Sequence, residues 1–272
     1  MNKQEIDSIR KDLLSDNKFN KKFISNRSFY GVPLPQEYID RMTALEEKYQ
    51  NIKWLPLDIP KIEIDDIEEF KALWEQESID TVRMKPDAAE PWTKEDHPLG
   101  EKSHWYVPAF RGLHLYHNEL APSEEHSWTS KIYKGNNTQL KRILEQAFEY
   151  FPMHPFTSVF IWQSVEEIPP HQDQGAFWKC PTEFRCMLHD ENPEPTLCVA
   201  DIERGDVNYI DLPKDTNSFC WSNGTQLHGS DYKGKKKFLL CVAGVQHSIK
   251  SEELFERSIK KYKDQLNYKL DL

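Results

Sequence analysis

Two histidines and an aspartate, His171, Asp173 and His228, are the residues of this chain best suited to act together. His171 and Asp173 stand two apart in His-Gln-Asp, and residues two apart on an extended segment share a face. His228 follows in Gln-Leu-His-Gly. Two imidazoles and one carboxylate suit non-haem Fe(II) and leave coordination positions open on one side. The spacing alone is common, since His117 with Glu119 and His189 with Glu191 repeat it. Context separates His171 from them. A strand-like run over 158–165 precedes it, and Pro169 and Pro170 hold the next residues extended. His228 precedes a final apolar strand, Phe238 to Ala243. Adjacent strands of a β-sandwich or barrel can bring the three side chains to one mouth.

The elements that must do this positioning are legible as pattern. Amphipathic helices are predicted over 4–15, 36–49, 65–77 and 138–151, the last capped by Thr138. Prolines recur between 79 and 135, and the aromatic stretch 104–117 reads as strands or ordered loops. Short β-rich runs follow at 157–165, 183–189, 196–202, 206–210, 217–222 and 237–245, separated by turn-formers. A C-terminal helix follows at about 251–267, with Ser251 as its cap. The chain is thus expected to be one domain, 1–272. It is mainly β with flanking helices, with a β core at about 155–247 and a helical and irregular region at 1–154.

Composition narrows the partners. A formal net charge of −10 and a pI near 5.5 work against nucleic acid and against an anionic membrane surface. Five cysteines with no Cys-x-x-Cys pair argue against a zinc ribbon or a disulfide framework and for reduced, buried thiols. Residues 1–7 are charged, no secretory signal is visible, and no apolar run approaches a membrane span. A cytoplasmic location is expected.

Further residues extend the chemistry. An acidic ligand bound at such a metal would place a carboxylate in the pocket, and a buried carboxylate needs a cation. Arg185 and Lys237 are the basic residues set within apolar strand runs, with Lys235 and Lys236 as rivals to Lys237. Arg111 is a candidate partner for a substrate carboxylate. Trp178, close behind the His-Gln-Asp pair, is a candidate to line the substrate pocket, with Phe177, Trp92 and Trp128.

Four segments together carry a resemblance. They are Ile168-Pro169-Pro170-His171-Gln172-Asp173, Glu183-Phe184-Arg185-Cys186-Met187-Leu188, Gln226-Leu227-His228-Gly229-Ser230 and Lys237-Phe238-Leu239-Leu240-Cys241-Val242. Their order resembles the 2-oxoglutarate/Fe(II)-dependent dioxygenases, and most resembles the aspartyl/asparaginyl β-hydroxylase-like branch. It covers about 158–244, roughly a third of the chain. The resemblance implies a double-stranded β-helix (jelly-roll, cupin-like) core. It also implies Fe(II) as cofactor, 2-oxoglutarate as co-substrate, and O2. His171, Asp173 and His228 match the iron ligands, and Arg185 and Lys237 match positions that hold the co-substrate. Lys237 stands where the family most often has Arg, and Met187 where the branch tends to have His. Related halogenases lack the carboxylate ligand, so Asp173 favours hydroxylation.

The expected activity is therefore hydroxylation of a C–H bond in an amino acid, a peptidyl side chain or a small polar metabolite. Two alternatives stay open: a non-catalytic jelly-roll binding or scaffold protein, and a cupin-like isomerase or hydrolase using another metal.

Overall fold

Helices form where apolar residues recur at helical spacing and a polar residue can cap the first turn. The computed structural model describes residues 28–29, 32–33, 36–80, 110–117, 133–165, 167–171, 180–181, 183–201, 206–222 and 226–270. The predicted helix over 4–15 lies outside them. Among the described residues the helices are α1 (Gln36–Tyr49), α2 (Ile67–Glu77), α3 (Thr138–Tyr150) and α4 (Ser248–Tyr262). Each buries one stripe: Ile39, Met42 and Leu45 in α1, Phe70 and Trp74 in α2, Ile143 and Ala147 in α3, Leu254 and Phe255 in α4. None is long and apolar enough to cross a membrane.

Asp66 caps α2, its Oδ1 accepting from the N–H groups of Glu68 and Glu69 at 3.0 Å each. Asp66→Ala is expected to cost about 1 kcal/mol. Urea unfolding should show a lower midpoint with an unchanged slope; an unmoved midpoint would rule the cap out as a stabilising feature. Two helix starts differ from the sequence expectation. Asn137, not Thr138, caps α3 and accepts from the Leu140 N–H at 3.0 Å. Helix α4 opens at Ser248 because the preceding strand runs straight into it, which leaves Ser251 buried inside the helix.

The strands are β1 (Ser28–Phe29), β2 (Val32–Pro33), β3 (Trp54–Pro56), β4 (Ile79–Asp80), β5 (Phe110–His117), β6 (Met153–Ser164), β7 (Ile168–His171), β8 (Glu183–Asp190), β9 (Leu197–Asp201), β10 (Asp206–Tyr209), β11 (Ser218–Trp221), β12 (Leu227–Ser230) and β13 (Lys237–Gln246). Strands β1 and β2 pair with each other. The rest form a seven-stranded sheet, β3-β11-β8-β13-β6-β5-β4, and a four-stranded sheet, β10-β9-β12-β7. All the pairings are antiparallel. Among the described residues neither sheet closes into a barrel. From β6 to β13 the chain passes repeatedly between the two sheets.

Alternation along β13 shows how the layers stack. Phe238, Leu240 and Val242 join Met42, Phe70, Trp74, Ile143 and Phe255 in one apolar cluster, so the helices cover that face of the large sheet. Leu239 and Cys241 point the other way and join Leu197 and Val199 of β9 in a second cluster, between the sheets. The architecture is therefore mixed rather than mainly β, with helices forming a whole layer of the larger core. The front half also supplies β3, β4 and β5 to the large sheet. All five cysteines are free and buried.

Candidate metal centre

Strands β7 and β12 lie side by side, and His171 and His228 are Cα partners in that antiparallel pair. Residues 169 and 170, both proline, are tolerated in β7 because it is an edge strand with only β12 beside it. His228 is also the register partner of Val199, which is fully buried between the sheets. Positions 228 and 199 thus lie on the face turned toward the large sheet, and position 171 stands in register opposite 228. Directly opposed residues have Cβ atoms about 4.5–5.5 Å apart.

His228 is buried, and the described residues that hold its ring include Gln226 and Trp221. Nδ1 lies 3.0 Å from the Gln226 carbonyl oxygen. A carbonyl only accepts, so Nδ1 carries the proton and the neutral ring keeps its lone pair on Nε2. The ring also stacks on Trp221, with centroids 5.0 Å apart and planes 30° from parallel. A carbonyl on the second nitrogen is the usual arrangement for a metal-ligating histidine. The side chain of His171, and Asp173 and Trp178 entirely, lie outside the described residues, as do Phe177, Trp92 and Trp128. Among the described residues, no three His, Cys, Asp or Glu side chains gather at one point.

Two cations face the same interior. Arg185 in β8 alternates with Phe184 and Cys186, which belong to the helix-side cluster, so it turns toward the small sheet. It is buried, and its Nη1 donates to Glu183 Oε2 at 3.1 Å and to the Phe184 carbonyl at 3.2 Å. Its guanidinium lies 5.7 Å from the Trp221 ring centroid. Lys237, the first residue of β13, shares its face with Leu239 and Cys241 and is only 2% exposed. Its Nζ donates to Thr196 Oγ1 at 2.9 Å and to Ser230 Oγ. Ser230 stands two residues from His228 on β12, so the ammonium is anchored on the row beside the histidines. No carboxylate among the described residues lies within ion-pair distance of Lys237. Burial pushes its pKa down to about 8, against the weaker opposing pull of Asp190, Cys198 and Asp231.

The other basic candidates lie elsewhere. Lys235 is exposed, and Lys236 donates to Glu75 at 2.7 Å on the surface. Arg111 also reaches Glu75, at 2.5 Å, from the helix-covered side that it shares with Leu113. It does not join Lys237 and His228. Thr196, Ser230, Glu183 and Trp221 are members of the site that residue type alone did not flag. The one available cue was position: Ser230 lies two residues past His228, hence on its face.

Compared with models of known protein families and with curated proteins, the chain matches none.

Proposed function

We propose that this chain is a 2-oxoglutarate- and Fe(II)-dependent oxygenase that hydroxylates a C–H bond of an amino acid, a peptidyl side chain or a small polar metabolite. The observation that carries the reading is the cross-strand pairing of His171 with His228, with a buried lysine anchored two residues further along the same strand. The order β10-β9-β12-β7 facing β11-β8-β13-β6, with the chain alternating between the two sheets, supports a double-stranded β-helix as the scaffold. The donors fit the metal: His228 offers Nε2, His171 opposes it, and Asp173 follows His171 in sequence.

Fe(II), when bound, supplies the activation of oxygen. The chain's own residues do the rest. The Gln226 carbonyl fixes the His228 tautomer. Lys237 receives the far carboxylate of the co-substrate, with the Thr196 and Ser230 hydroxyls holding the ammonium in place. Arg185, already shared with Glu183, supplies a second cation on the same wall. The aromatic side chains between the sheets keep water away and so strengthen each of these contacts. Buried thiols, none of them in a disulfide, suit a reducing, cytoplasmic setting.

Thermal unfolding in the presence of Mn(II), with and without 2-oxoglutarate, tests the reading. Mn(II) should raise Tm, and 2-oxoglutarate should raise it further only when the metal is present. Saturation at 100 times Kd adds about 2.7 kcal/mol. Aerobic incubation with Fe(II) should then form succinate. A protein that responds to metal but ignores 2-oxoglutarate would be a metal isomerase or hydrolase. One that responds to neither would be a scaffold. Either result overturns the proposal.

A further inference from the structure

Trp221 is 3% exposed and occupies the end of β11, where its register partners are Glu183 on one side and Trp54 on the other. Its indole meets, among others, the His228 ring at 5.0 Å, the Arg185 guanidinium at 5.7 Å and the Phe219 ring at 5.2 Å, edge-on at 65°. His228 belongs to the small sheet and Trp221 to the large one, so this stack is a contact across the interior. The hydrogen bond from Nδ1 to Gln226 is local, between residues two apart on the same segment. That bond fixes the tautomer but does not by itself set the tilt of the ring about it. A flat partner held by the opposite sheet restrains that tilt.

We propose that Trp221 is the positioning residue of the metal centre: its indole face sets the plane of the His228 ring and thereby aims the Nε2 lone pair. This rests on the reading of His228 as a ligand. The same indole also carries Arg185, so one rigid side chain relates the ligand to a cation of the co-substrate wall. Partners that orient a ligating histidine typically change metal affinity by roughly 10- to 100-fold when removed.

The experiment is Mn(II) binding to the metal-free protein, by calorimetry or by the loss of the free Mn(II) EPR signal. Trp221→Phe keeps a flat face and is expected to bind within about threefold of wild type. Trp221→Leu is closer in volume to the phenylalanine variant than either is to tryptophan, but it has no flat face, and it is expected to bind roughly 10- to 100-fold more weakly. Where Trp221→Leu does not fold, Trp221→Met makes the same comparison. Phe219→Leu controls for lost packing, because Phe219 touches Trp221 in the same cluster. It should unfold more easily yet bind Mn(II) as wild type does. Equal affinity in the Leu and Phe variants of Trp221 overturns the role, as does an equal loss in Phe219→Leu. Wild-type protein that takes up no Mn(II) overturns the metal centre itself, and the role with it.

Discussion

With His228 replaced by alanine, the protein is expected to lose stoichiometric Mn(II) and Fe(II) binding, and succinate formation falls to background. The size follows from ligand count. Four-ligand structural zinc sites gain about 10–16 kcal/mol of apparent binding free energy. One ligand of such a set therefore contributes roughly 3–4 kcal/mol, on the order of 10²–10³ in affinity. His171→Ala is expected to do the same, because the two positions oppose each other across one strand pair. The double variant should be hardly worse than either single one, since residues serving one ion act as a unit. Stability separates this from simple damage. His228→Ala removes a stack on Trp221 and a hydrogen bond to Gln226, a loss of about 1–3 kcal/mol. A folded His228→Ala protein that still binds Mn(II) as wild type does would end the assignment.

Much of the scaffold was legible in the sequence, because its signals are local. Tyr38, Ile39, Met42 and Leu45 announce α1 by spacing alone, and it spans Gln36–Tyr49 as predicted. Partial alternation in Glu183–Asp190 announces β8, and the apolar run from Phe238 to Ala243 announces β13. Strands β3 and β4 are three and two residues long, too short to show a period, and only their neighbours make them strands. The pairing of β7 with β12 is a different matter. Nothing near His171 specifies that His228 lies opposite it; that register comes from the tertiary arrangement of two distant segments. Trp221 carries no signal of its own in the sequence, because a tryptophan in an apolar run reads as core, and only the stacked partner gives it a further meaning. The choice among three lysines was open to a simple period-two argument. Lys237 shares a face with Leu239 and Cys241, while Lys236 falls on the other and reaches Glu75.

Lys237→Met should separate binding from stability, and pH should separate them again. The ammonium has hydroxyl partners and no carboxylate within ion-pair distance among the described residues, so the dianionic co-substrate supplies the missing anion. Removing one member of a buried charge pair costs about 2–5 kcal/mol of binding, so the Kd for 2-oxoglutarate should weaken by roughly 30- to several-thousand-fold. Lys236→Met, at the surface beside Glu75, should stay within about twofold. Folding behaves differently. The lysine's ordinary pKa of 10.5 falls to about 8 in the fold because burial penalises the charge. Below pH 8 both folded and unfolded chains carry the proton, and the fold bears a cost on the order of 3 kcal/mol. Between pH 8 and 10.5 the unfolded chain binds more protons than the folded one, so this residue's contribution to stability rises with pH. Methionine abolishes that rise, which urea unfolding at pH 7, 8, 9 and 10 reads as a difference in slope between wild type and variant. At pH 7 the relief of the buried charge is offset by the Thr196 and Ser230 hydroxyls left without their partner, at about 1–3 kcal/mol each, so the two proteins should be of similar stability. Co-substrate binding runs the opposite way. It requires the ammonium, so wild-type affinity should fall about tenfold per pH unit above 8 as binding must also take up a proton. A wild-type Kd that is flat from pH 7 to 10, together with wild-type affinity in Lys237→Met, would remove Lys237 from the site and leave Arg185 as the cation that holds the co-substrate.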